Sequence, residues 1–194
     1  MCAGTHLSRT TESAPMVKPS NSHAILQMVL HWTLAAAILF LFVSSWWMLS
    51  LPLPSDDHTY RVVPFQLHKN IGITLLLIIL VMICLRWVRR LQQNAAARSA
   101  LQTLADIDQW LIYALVAACC SSGYLSSSYS GWNTEFWWLI QLPAWAREND
   151  GLNILFSDLH QWSCWLLLLA IVLHIAAAIY HGLRDDALLP KMFP

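Results

Sequence analysis

Four long apolar stretches separated by polar connections set the pattern of this chain, at about residues 24–51, 65–90, 104–125 and 156–183. At about 1.5 Å per residue, a helix of each length crosses a hydrocarbon layer of about 30 Å. The pattern predicts an all-α fold, a four-helix transmembrane bundle. Pro52 and Pro54 end the first stretch, and Ser55-Asp56-Asp57-His58 reads as a wet turn in which His58 is a solvated loop residue. The third stretch is the least regular, with Asp106, Asp108 and Gln109 at its start and Cys119-Cys120-Ser121-Ser122-Gly123 near its end. Small residues of that kind let a neighbouring helix backbone, or a flat cofactor, come close.

The connections differ in character. Residues 1–22 mix Ser, Thr, Pro and charge without periodicity, which predicts a flexible tail ahead of a membrane domain at 23–194. Residues 91–103 form a polar link after the basic end Arg86-Trp87-Val88-Arg89-Arg90. The segment 126–156 carries Trp132, Phe136, Trp137, Trp138 and Trp145, and it predicts a short amphipathic segment lying at the outer interface, because such rings favour the headgroup zone.

Composition sharpens this reading. Hydrophobic residues make up 57% and charged ones only 11%, a balance that places the chain in a membrane and leaves no basis for a nucleic-acid partner. Eight of the eleven Lys and Arg residues fall in the first tail, in the segment from Arg86 to Arg98 and at the C-terminal end, so the positive-inside rule puts both termini in the cytoplasm. The first twenty residues contain no apolar stretch followed by a cleavage site, so the first helix is expected to act as its own membrane signal. Of five cysteines, Cys84, Cys119, Cys120 and Cys164 sit inside apolar runs and read as small buried hydrophobes, with Cys2 in the tail. No Cys-x-x-Cys-His occurs and no cysteine spacing suggests zinc or an iron–sulfur cluster.

Candidate chemistry lies in the histidines. Each of His31, His68, His160 and His174 interrupts an apolar stretch, where a polar ring without a partner is costly and where neutral imidazole is a strong ligand for haem iron. The 14 residues between His160 and His174 leave them within roughly 40° of one helix face and about 21 Å apart along the axis. His31 lies about seven residues inside the cytoplasmic start of its helix and His174 about nine before the cytoplasmic end of the fourth, so both sit roughly 10–14 Å deep. His68 and His160 both stand near the outer starts of their helices. The histidines thus sort into an inner pair, His31 with His174, and an outer pair, His68 with His160. Two axial imidazoles per iron leave no open position, which suits single-electron transfer and disfavours oxygen binding. His181, on the same face as His174, stays open as a replacement ligand, a propionate partner or a solvated residue.

Two other classes fit less of the pattern. A metal-ion transporter wants carboxylates beside its histidines along a pathway, whereas Asp106, Asp108 and Asp158 stand at helix ends, where they cap or hydrate. A haem-free helical scaffold would use each histidine as an interhelical hydrogen-bond partner.

Leu30-His31-Trp32, His68-Lys69-Asn70-Ile71-Gly72-Ile73, Leu159-His160, Leu173-His174-Ile175-Ala176-Ala177-Ala178 and the ending Arg184-Asp185-Asp186-Ala187-Leu188-Leu189-Pro190-Lys191-Met192 together resemble the bacterial cytochrome b561 family, and within it the superoxide oxidase type. The resemblance covers nearly everything after residue 22. It implies a four-helix bundle in the bacterial inner membrane with two haem b groups, on His31 with His174 and on His68 with His160. It further implies an oxidoreductase that takes electrons from superoxide at the periplasmic side and passes them to ubiquinone. The alternative is an electron-transfer subunit linking a partner dehydrogenase or hydrogenase to the quinone pool. One departure lies in helix three, where Gln109 stands four residues before Tyr113 in place of a His, and the usual Pro near Cys119-Cys120 is missing.

Oxidising superoxide at a haem edge needs a cationic local field, and Lys69 is the first candidate to supply it, ahead of Arg61 and Arg147. The other reading of Lys69 is a snorkelling cation or propionate partner. Six acids against three bases in the outer connections argue against long-range steering. The tryptophans of the third connection are candidate quinone shelter or plain interface anchors.

Overall fold

In the computed structural model, the described residues are 21–51, 61–92, 100–142 and 145–184. They form α1 (Asn21–Ser50), α2 (Val62–Gln92), α3 (Ala100–Tyr129), β1 (Glu135–Phe136), β2 (Ile140–Gln141) and α4 (Asp150–Arg184). The expected tail, the Ser55–His58 turn, most of the polar link after α2 and the C-terminal ending lie outside the described residues. All four helices contain spans long and apolar enough to cross a membrane. Their outward faces are rich in large apolar side chains such as Leu39, Val81, Leu166 and Leu173, a surface that suits lipid and would be unstable in water.

The helices run past the ends that the apolar pattern suggests, because local hydrogen bonds carry polar residues within them. At the end of α3, the Ser128 hydroxyl donates to the Tyr124 carbonyl at 2.9 Å, so the serine run stays helical. Asn149 caps α4, accepting from the Leu152 amide on Oδ1 at 3.0 Å, while its own amide donates to the Tyr129 carbonyl at 3.0 Å. Asp150 adds a favourable negative charge to that first turn. Pro64 is tolerated early in α2, where its missing N–H has no intrahelical acceptor.

The third connection, expected as a short amphipathic segment at the outer interface, is ordered as extended backbone. It forms a two-stranded antiparallel hairpin with Glu135 opposite Gln141 and Phe136 opposite Ile140. Aromatic residues favour extended backbone, and the chain reverses at Trp137 and Trp138, with φ of 49° and 56°. Left-handed backbone is unfavourable for such bulky residues, so the turn needs outside support. The Trp137 indole donates to the Thr74 hydroxyl at 3.0 Å, and Gln66 donates to the Glu135 carbonyl, which pins the hairpin to α2.

Helix packing runs α1 on α2, α2 on α3 and α3 on α4, and no comparable backbone packing joins α4 to α1 or α2. Small and hydroxylated residues explain the closest of these contacts. Ser126 on α3 donates to Asn153 at 2.9 Å and meets the Ser157 hydroxyl at 2.9 Å, beside Tyr129 stacked on Phe156. Leu34, Leu75, Ile79, Tyr113, Val116 and Leu167 form the buried core of the bundle. Leu167 stands seven residues from both His160 and His174, so this apolar plug separates the two histidine levels of α4.

Candidate functional site

The structure brings the four histidines into two pairs. The His31 and His174 rings have centroids 6.3 Å apart, and so do the His68 and His160 rings. Two imidazoles facing each other through one ion have centroids roughly 6 Å apart, from about 2 Å per metal–nitrogen bond and about 1 Å between nitrogen and centroid on each side. Both gaps therefore fit an iron ion between the rings. Each pair joins α4 to α1 or α2, between which backbone packing is sparse among the described residues.

The His68–His160 pair lies toward the hairpin end and lines a cavity of about 580 Å³, within the size range of small-molecule and cofactor sites. Leu75, Val116 and Leu167 of the core line one part of it, while Arg61, Lys69 and Trp132 contribute polar and aromatic groups. The Nδ1–H of His160 donates to the main-chain carbonyl of Cys119 at 2.8 Å, since a carbonyl can only accept. That bond fixes the tautomer and leaves Nε2 with the lone pair. Among the described residues, His68 Nδ1 is buried without a partner, as is the carboxamide of the fully buried Asn70. Gly123 is required beside the pair, because a Cβ at that position would lie 2.9 Å from His160 Nδ1.

The His31–His174 pair, toward the chain ends, stands in different surroundings. His174 Nδ1 donates to the Asp108 carboxylate at 2.6 Å, again leaving Nε2 free to act as a ligand. The side chains of His174 and Asp108 are 34% and 28% exposed, and His31 is exposed with Trp32 edge-on at 5.5 Å. Beside this pair, Asp106 bridges Arg86 at 2.6 Å and Arg90 at 3.2 Å. Arg86 also donates to Gln109 Oε1, Gln109 donates to the Tyr113 hydroxyl at 3.1 Å, and both guanidinium groups lie over Trp110.

These contacts correct several expectations. Asp106 and Asp108 neither cap nor merely hydrate: one joins α2 to α3, and the other orients a candidate ligand. Their depth was the available signal, since Asp108 and His174 lie roughly 12–15 Å from the terminal-side ends of their helices. Cys84 is exposed toward lipid instead of buried. Cys119 and Cys164 do more than fill space, with sulfurs 3.2 Å apart and each 3.7 Å from a nitrogen of His160. Their positions on two helices, 45 residues apart, follow no recognisable spacing in sequence. Gln109 in place of a His builds the Arg86–Tyr113 relay. Lys69 and Arg61 both line the cavity, and Arg61 donates to the Leu51 carbonyl at 2.9 Å through Nε. Arg147 is exposed in the connection. The side chain of His181 and the whole of His58 lie outside the described residues.

A protein-family model described as prokaryotic cytochrome b561 matches residues 22–194. No curated protein matches the chain.

Proposed function

The chain belongs to the prokaryotic cytochrome b561 family, and from that premise we propose that it carries two b haems, on His31 with His174 and on His68 with His160, and moves electrons from periplasmic superoxide to ubiquinone. Family and fold make it a haem-binding, multi-pass electron-transfer cytochrome of the bacterial inner membrane. The observation that supports two haems is the repetition of one 6.3 Å separation between imidazole centroids at two levels of a single bundle. A haem held by the two imidazoles of each pair would supply single-electron transfer.

The protein's part is to orient the ligands and shape the field. The Cys119 carbonyl and the Asp108 carboxylate each take the Nδ1 proton of one α4 histidine, which keeps Nε2 deprotonated for the metal. The buried core around Leu167 gives the space between the levels an apolar character. Both termini are assigned to the cytoplasm on the distribution of Lys and Arg, which places the hairpin and the cavity on the periplasmic side. There, Lys69 presents a positive charge at the cavity wall, suited to drawing in a small anion.

The test is a reduced-minus-oxidised visible spectrum of the purified protein, with haem and protein quantified on one sample. Two low-spin b haems per chain are expected, and one or none would overturn the paired assignment. Lys69→Ala is expected to slow superoxide consumption at low salt by roughly tenfold, and an unchanged rate would remove Lys69 from this role. The acid excess of the outer connections favours one second reading, a carrier subunit docked to a partner dehydrogenase or hydrogenase. Haem-loaded protein that ignores superoxide but is reduced by a copurifying oxidoreductase would select it.

A further inference from the structure

We propose that Cys119 and Cys164 form a redox-active dithiol that closes reversibly to a disulfide in the wall of the cavity, against the ring of His160. The two sulfurs are already 3.2 Å apart. A disulfide bond is about 2.05 Å long, so closure asks for an approach of little more than an ångström. The two helices that carry these residues, α3 and α4, are the most intimately packed in the bundle, and the Ser126–Asn153 and Ser126–Ser157 contacts hold them together about two to three turns away. Both thiols line the cavity, Cys119 buried and Cys164 half-buried.

The same cluster of Cys119, His160 and Cys164 has the look of a metal site, because one ligand atom from each lies within 4.8 Å of the others. The hydrogen bonds argue otherwise. His160 Nδ1 carries the proton given to the Cys119 carbonyl, and the proposed function commits the remaining lone pair, on Nε2, to the haem iron. Two thiols alone fall short of the four ligands that a zinc ion takes. What remains is a pair of sulfurs in mutual contact, whose natural chemistry is oxidation to a disulfide.

The reaction is balanced with a quinone as acceptor. Two S–H bonds break, one S–S bond forms, and the two protons and two electrons released convert one quinone to its quinol. Thiol reductants reverse it by exchange. The thiol pair itself stands on geometry alone; the choice of a quinone as acceptor, and the link to the haem, rest on the proposed function. Because the Cys119 backbone holds His160 Nδ1 and the Cys164 sulfur lies 3.7 Å from Nε2, closing the bond rearranges the groups around a ligand ring, and such groups tune a haem's potential.

The experiment takes the haem-loaded protein in mild detergent, reduces it with dithiothreitol, removes the reductant, and exposes one half to excess short-chain ubiquinone without oxygen. Both halves are unfolded in acid, alkylated and digested for mass spectrometry. The expected result is two fewer alkylated thiols after quinone and a peptide pair joined through Cys119 and Cys164, lost again on returning dithiothreitol. Cys119→Ser and Cys164→Ser are each expected to abolish the joined peptide, and Cys84→Ser to keep it. Thiols that stay fully alkylated after quinone, a link made through Cys120, or zinc or copper bound in equimolar amount and released on alkylation would each overturn the dithiol. The haem content of the same sample reads out separately: a joined peptide without two haems leaves the dithiol standing and removes the proposed function. A midpoint shift in one of the two haems between thiol and disulfide forms, absent from both serine variants, is expected as well. Identical potentials in the two forms would overturn the coupling to His160.

Discussion

The two histidine pairs share one spacing and differ in nearly everything around it. At the hairpin end, His68 and His160 line a cavity with two thiols, a backbone carbonyl accepting from His160 Nδ1, and a glycine whose missing Cβ leaves the ring its room. At the other end, His31 and His174 are more exposed, and a carboxylate holds the α4 ring beside a network of two arginines, an aspartate and a tryptophan. A carbonyl makes a weaker, neutral hydrogen bond to the imidazole than a carboxylate does. If each pair holds a haem as proposed, the carboxylate behind His174 would stabilise the oxidised metal more than the carbonyl behind His160 would.

Removing one pair at a time breaks the comparison most severely. His160→Ala is expected to cut haem from two per chain to one while the helical content is kept, and His174→Ala to do the same at the other level. Distinct residual spectra from the two variants would show that the environments differ as the structure says. Loss of both haems from either variant would mean that the levels are not independent.

Gly123→Ala comes next. A Cβ that lies 2.9 Å from His160 Nδ1 forces the ring to move, so reduced occupancy is expected at the hairpin-end level with the other haem retained. Wild-type occupancy at both levels in this variant would mean that the ring has room to give.

Asp108→Asn keeps the shape of its side chain and removes the charge. By analogy with other carboxylates that support a ligating histidine, a loss of about 10–100-fold in affinity for the cofactor is expected at the chain-end level. The midpoint potential there is expected to rise, since the ligand loses basicity, while the hairpin-end potential stays put. A redox titration that follows both haems decides this, and movement of the wrong potential would reassign Asp108.

Arg90→Ala should matter least. Its ion pair with Asp106 is 3.2 Å long and its side chain 39% exposed, so a change in stability of about 0–1 kcal/mol is expected with both haems unaltered. A haem loss here would show that the arginine network supports the site and not only the α2–α3 contact.

Much of this arrangement was legible before any coordinates. The four helices follow from apolar length, and the histidine pairs follow from depth, because in a membrane helix position along the chain converts directly into height. The same arithmetic places Asp108 beside His174, but a carboxylate in the first turns of a helix has too many ordinary uses to be singled out by height alone. Cys119 and Cys164 were less accessible still. They stand level with His160, yet only the rotation of α3 against α4 turns both sulfurs to one spot. The hairpin escaped because aromatic residues serve an interfacial helix and a strand turn equally well, and the support for the strained turn at Trp137 and Trp138 comes from Thr74, over sixty residues away.

By itself, then, the sequence determined the solvent, the number of crossings and the heights of the candidate ligands, all of which depend on composition and on one fixed rise per residue. The azimuth of each side chain was decided only by the tertiary structure. Which residue accepts a ligand's proton, which thiol meets which, and which glycine makes room for a ring are set by packing between helices. That packing depends on interlocking side chains distant in the chain, and no local period encodes it.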